Sequence, residues 1–195
     1  MKVLTHDNGN GAIDFEIVFR QLNAELIKID ATLELVCAGG YVLQLHGYRA
    51  TADIDAFFIN NKMTEDAIRK VGDEFNINKA DELWLNNSIS NLNPKPPAEY
   101  LETVHQFSNL IVKAVDIRYL IGMKLVSARE QDLKDVAEIL KRDKNKLPLE
   151  LLSKLGNMGF EIDISVLLDG FEKAYGIQWL EEFYKNNEAE LRNYY

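Results

Sequence analysis

The sequence predicts a mixed α+β architecture, with an α/β-like front half and a helical back half. Three observations point there. Two short apolar runs, TLELVCA at residues 32–38 and DIDAFFI at residues 53–59, alternate with segments of helical periodicity. Past Asp116 every apolar pattern has helical spacing. The 195 residues are 47% hydrophobic and 27% charged, which is apolar enough for a real core and too apolar for disorder.

The elements follow in order. Residues 12–30 read as an amphipathic helix, with Ile13, Ile17, Leu22, Leu26 and Ile29 near helical spacing. Residues 32–38 form a strand that ends in Gly39-Gly40. A short helix over 41–46 is stopped by Gly47, and residues 53–59 form a second strand. A helix over 63–75 takes its cap from Thr64 or the asparagine pair before it. Residues 82–92 are ambiguous, and NPKPP at 93–97 is a loop because its three prolines fix φ and remove donors. TVHQF and NLIVKAV read as a hairpin over 103–115, turning near Ser108-Asn109. Asp116 then caps a helix to about Ala128, and helices follow at 131–142, 148–157, 164–175 and 177–193. The expected division is a core over 1–145 and a helical extension over 146–195 packed on it. Both halves are expected to share one core, since the boundary near Asp116 has no linker composition.

Composition excludes several classes. The net charge of −9, from 22 basic and 31 acidic residues, argues against coating duplex nucleic acid. Small anions carried by a metal ion stay within reach, because a bound cation reverses the local sign. Residues 118–146 carry eight basic and five acidic side chains, a local strip that suits an anionic ligand or merely a solvated face. No uncharged apolar run is long enough to span a membrane. Residues 1–10 are polar and lack a secretion signal, and the lone Cys37 has no internal disulfide partner; the expected location is the cytoplasm.

The chemistry concentrates in CAGGYVLQLHGYRATADIDAFF, residues 37–58. A strand ends in two glycines, which let the backbone turn sharply and approach a ligand closely. The helix that follows opens with N–H groups suited to a phosphate. On the next strand Asp53 and Asp55 are two apart, so both carboxylates point to one face while Ile54 points to the core. Two like charges so close favour a shared hard cation, Mg²⁺ or Mn²⁺. Phosphate donors beside a metal pair make a site for a nucleoside triphosphate. Each piece has a plainer reading, a tight turn or solvent-facing strand polarity; the combination at this spacing favours a site.

This segment resembles the nucleotidyltransferase superfamily that includes DNA polymerase β, and in detail the AbiEii-type minimal nucleotidyltransferases of bacteria. Those proteins carry a similar G-G-x-A-L…H-G-x-R-x-T-x-D-I-D pattern. Trp84-Leu85-Asn86 is similar to their W-L-N element, and YLIGMKLVSAREQDLKDVAEIL at 119–140 to their lysine- and acid-bearing helix pair. The resemblance implies a nucleotidyltransferase fold, a small mixed sheet flanked by helices with a helical C-terminal region.

It also implies roles. Gly39 and Gly40 would hold the triphosphate, Asp53 and Asp55 the metal, and Arg49 and Thr51 would brace the loop or touch phosphate. Lys124 would contact phosphate, and Asp135 is the better site candidate of the pair Asp132 and Asp135. Lys124 and Asp135 are eleven apart, about three helical turns, if one helix carries both. Lys124 could equally extend to water along an apolar helix, and the two acids could be surface charges. The implied activity moves a nucleoside monophosphate to an acceptor hydroxyl on RNA, a protein or a small molecule, with an antitoxin as partner if the biology carries over. The family's enzymes carry a third carboxylate on a later strand. NLIVKAV holds none; Asp116 follows it, and Glu82 precedes Trp84. A catalytically inactive nucleotide-binding or protein-interaction module is therefore the second reading. His46 reads as a packing or capping residue, His6 and His105 as structural, Cys37 as core, and the aromatics from Phe171 to Tyr184 as core; no Cys/His cluster suggests zinc.

Overall fold

The computed structural model describes residues 13–80, 82–91, 94–192 and 194. The polar residues 1–10 with His6, and the outermost positions of some expected elements (residues 12, 92, 93 and 193), lie outside them. Two compact units divide the chain, Met1–Ile117 and Arg118–Tyr195.

In the first unit, α1 spans Phe15–Lys28 and is opened by Asp14, whose carboxylate accepts from the Glu16 N–H at 3.1 Å. Its buried stripe is Phe15, Val18, Phe19, Leu22 and Leu26. Ile17 is only half-buried, so the face is rotated toward the aromatics relative to the one read from isoleucine and leucine. Strand β1, Leu33–Cys37, leads into α2, Gly39–Leu45, which starts at the glycines themselves. Strand β2 is Ile54–Phe57, shorter than expected, with Asp53 just before it. Helix α3, Lys62–Phe75, begins in a capping box: Asn61 Oδ1 accepts from Thr64 N–H and Thr64 Oγ1 accepts from Asn61 N–H, so both capping candidates are used. The ambiguous segment resolves into β3, Leu85–Asn86, and a 3₁₀ turn at Ser88–Asn91. The hairpin is β4, Leu101–Gln106, and β5, Leu110–Val115.

These strands form one five-stranded sheet in the order β3-β2-β1-β5-β4. The β1–β5 and β2–β3 pairs are parallel; β1–β2 and β4–β5 are antiparallel. The sheet is therefore mixed, as the resemblance implied. Leu33, Leu35, Cys37, Ile54 and Ala56 join the core with α1, α3 and the buried Trp84. On the opposite side Glu34 pairs with Lys113 at 2.8 Å.

The second unit is helical: α4 over Ile117–Ser127, whose first residue closes the first unit, then α5 over Glu130–Arg142, α6 over Pro148–Asn157, α7 over Ile164–Tyr175 and α8 over Ile177–Leu191. Pro148 sits at the start of α6, where its missing N–H is harmless. Phe171 is fully buried, while Tyr175, Trp179 and Phe183 form a half-buried ring ladder beyond it. Among the described residues no helix is long and apolar enough to cross a membrane.

Candidate active site

Cys37 ends β1 in the core, and the chain turns at Gly39, whose φ of 60° lies in the left-handed region. The Ala38 N–H donates to the Asp55 carbonyl at 2.9 Å, which ties the turn to β2. Here the glycines have a steric reason. A Cβ on Gly39 would lie 3.0 Å from Asp55 Oδ2, and one on Gly40 would lie 2.5 Å from Thr51 Oγ1 and 3.5 Å from an Arg49 guanidinium nitrogen. The structure thus brings Gly39, Gly40, Arg49, Thr51 and Asp55 to one place. Asp53 completes the group, since the Thr51 hydroxyl donates to its Oδ1 at 3.2 Å or its carbonyl at 3.1 Å.

The loop between α2 and β2 is held from below by Gln44, whose amide oxygen accepts from the Thr51 N–H and whose Nε2 donates to the Ile13 carbonyl, both at 2.8 Å. His46 caps the C-terminus of α2 and is exposed. Asp53 and Asp55 both line a cavity of about 500 Å³, together with Asn60, Glu65, Glu82 and Asn86.

Asn86 and Lys79 have no role in the sequence reading. Asn86 is the register partner of Asp55 across the parallel β2–β3 pair, and its Oδ1 accepts from Ser88 Oγ at 2.6 Å. A neutral amide therefore stands beside the acid pair on the neighbouring strand. Asn86 lies in the Trp-Leu-Asn element that carries part of the resemblance, and that element is the signal that points to it. The Lys79 ammonium lies 2.6 Å from Asp53 Oδ2 and 3.5 Å from Glu82. Its hydrogen bond with Asp53 holds it above the ordinary lysine range. No local spacing announces it, because 26 residues separate the pair.

In the second unit Lys124, Asp132 and Asp135 are buried together. The Lys124 Nζ is 2.8 Å from Asp132 Oδ1 and 2.7 Å from Asp135 Oδ2. They do not meet along one helix. Ala128 has φ of 51° and Arg129 is extended, so α4 and α5 are separate helices and the chain reverses to bring the charges together. The three-turn expectation is corrected on that point, as are the readings of Lys124 as extending to water and of both acids as surface charges. Burial alone would raise Asp132, but Arg129 and Lys124 outweigh it and leave its carboxyl below the usual range.

The two carboxylates that line one cavity, with Gly39 packed on Asp55, are a donor set that would fit a divalent cation with a phosphorylated ligand. The Lys79 ammonium on Asp53 already occupies a cation position, and the missing Cβ atoms let Asp55 and Thr51 pack directly on the glycine backbone. Among the described residues no group of three or more His, Cys, Asp and Glu is arranged to hold a metal. Fold and site thus define a mixed α+β domain in which two strand carboxylates line a cavity beside a glycine turn. The chain belongs to the family described as nucleotidyltransferase of unknown function (DUF6036), whose model matches residues 14–166. No curated protein and no solved structure matches it.

Proposed function

We propose that this chain is a metal-dependent nucleotidyltransferase that moves a nucleoside monophosphate from a triphosphate to an acceptor hydroxyl. The observation that carries the reading is the packing of Gly39 and Gly40 against Asp55 and Thr51, with Asp53 hydrogen-bonded to the same threonine. Asp53 and Asp55 would hold the divalent cation, which when bound supplies charge neutralisation and in-line orientation at the α-phosphorus. Gly39 and Gly40 let Asp55 and Thr51 close on the turn, and their backbone would face the triphosphate. Thr51 fixes Asp53, and Arg49 braces the Gly40 turn or meets phosphate. Lys124 and Asp135 carry site roles only through the AbiEii-type resemblance, which also suggests a toxin with an antitoxin partner and an RNA or protein acceptor.

Asn86 favours a second reading. With an amide beside Asp55 and no further acid assigned as base, a nucleotide-binding or protein-interaction module without turnover also fits. Incubation of each α-labelled triphosphate and Mg²⁺ with total RNA and with lysate separates them. Transferred label that Asp53→Ala abolishes supports the enzyme. Mg²⁺-dependent nucleotide binding by calorimetry without any transfer supports the module, and absence of both removes the ligand-based reading.

A further inference from the structure

Both carboxylate oxygens of Asp53 have partners on the protein. Thr51 Oγ1 lies 3.2 Å from Oδ1, and the Lys79 ammonium lies 2.6 Å from Oδ2. A cation that takes Asp53 through Oδ2 must first move that ammonium.

Lys79 is delivered by a built loop. Asn78 donates from Nδ2 to the Arg69 carbonyl at 2.9 Å and to Asp73 Oδ1 at 2.8 Å, and its Oδ1 accepts from the Trp84 N–H at 3.2 Å. Asn78 fits only because residue 72 is glycine, where a Cβ would lie 2.1 Å from Asn78 Oδ1. The Lys79 N–H donates to the Glu82 carbonyl at 2.9 Å, and the Ile54 N–H donates to the Trp84 carbonyl at 2.6 Å. The loop that presents Lys79 is thus tied to the start of the strand that presents Asp53 and Asp55. Glu82, 3.5 Å from the same ammonium, offers it a second resting place.

We infer that Lys79 is an internal counter-ion of the metal site: it occupies Asp53 when no divalent cation is bound and withdraws to Glu82 when one binds. The inference rests on the metal-binding reading of Asp53 and Asp55. Lys79 stabilises the acid pair without metal, and it competes with every incoming cation, so free metal binds weakly on its own.

The test is Mn²⁺ titration without nucleotide, read by the electron paramagnetic resonance signal of free Mn²⁺ at fixed ionic strength. Wild type, Lys79→Met, Lys79→Arg and Asp53→Asn are compared. Lys79 is half-exposed, so its variants leave the core intact. Lys79→Met is expected to bind Mn²⁺ about fivefold more tightly than wild type, as suits loss of a partly exposed ion pair. Lys79→Arg stays close to wild type, and Asp53→Asn loses the site. An Asp53-dependent site with equal or weaker affinity in Lys79→Met, or equal tightening in Lys79→Arg, overturns the counter-ion role and leaves the metal reading standing. No Asp53-dependent Mn²⁺ binding in any protein, with or without a triphosphate, overturns both.

Discussion

Asp55 on β2 and Asn86 on β3 face each other in register across a parallel strand pair, and both line the same cavity. The relationship sets the charge of the site, because the strand beside the acid pair contributes a dipole where it could contribute a carboxylate. Asn86→Asp keeps the acceptor oxygen that Ser88 uses, so the local fold should hold. A third negative charge near a divalent cation should tighten Mg²⁺ binding about tenfold in the presence of nucleotide. Without metal the added repulsion should lower Tm by a few degrees. Calorimetric Mg²⁺ titration and a thermal melt check both; unchanged affinity would mean that residue 86 does not face the cation.

Gly40 supplies the second prediction. In Gly40→Ala the new methyl group would lie 2.5 Å from Thr51 Oγ1 and 2.9 Å from Thr51 Cβ, so Thr51 and the loop must move. The expected cost is about 1–3 kcal/mol in urea denaturation. Because Thr51 holds Asp53, Mg²⁺–nucleotide affinity should also fall about tenfold or more. The matched control is Gly156→Ala in α6, where nothing lies within 4 Å of the added Cβ. That change should stabilise by up to about 1 kcal/mol. Equal effects at the two glycines would defeat the steric account.

How far the sequence reached follows from which interactions are local. Helix limits were legible where their signals are local, as with Asn61 and Thr64 before α3 and Pro148 at the start of α6, whereas the Asp14 cap that starts α1 at Phe15 was missed by a reading that began at residue 12. The hairpin and the Gly39–Asp55 neighbourhood were legible because a short connection leaves few ways to fold it. What escaped depends on long-range pairing. Lys79 reaches Asp53 only through the Asn78 anchor in the Gly72 notch, and Asn86 gains meaning only from its register with Asp55. The ion pairs of Lys124 with Asp132 and Asp135 also escaped, since the sequence reading gave Lys124 a phosphate contact and shared only a helix face between it and Asp135. The break near Ala128 was legible, but the left-handed turn there and the return of α5 that make the contact were not.

That buried trio gives the third prediction. Lys124, Asp132 and Asp135 are 6%, 3% and 4% exposed, and one ammonium serves both carboxylates. Lys124→Met should cost about 3–5 kcal/mol, because it leaves two buried acids without their shared counter-ion. Converting the acids as well, in Lys124→Met with Asp132→Asn and Asp135→Asn, should recover much of that loss. Urea midpoints decide the matter. Nucleotidyl transfer by the recovered triple variant then separates the two roles: a stable triple without activity assigns the trio to the reaction, and a stable triple with full activity assigns it to the fold.

The fourth prediction concerns acid. Glu25 on α1 is 5% exposed, and its oxygens lie 2.6 Å from Lys28 and 2.7 Å from Lys70 of α3. Hydrogen bonds from Lys28 and Lys70 outweigh burial and hold its carboxyl below the ordinary value of 4.5. The folded chain therefore releases this proton more readily than the unfolded chain. The resulting stability is complete above pH 4.5 and is lost as pH falls through the lowered folded value. Both lysines are more than half exposed, so the contribution is modest, on the order of 1 kcal/mol after solvent screening. Glu25→Gln should thus be less stable than wild type at neutral pH. Its urea midpoint should decline less steeply in acid, so that the two curves converge below pH 4.5. Midpoints measured from pH 7 to pH 3 test this, and curves that stay parallel throughout would show that Glu25 draws nothing from Lys28 and Lys70.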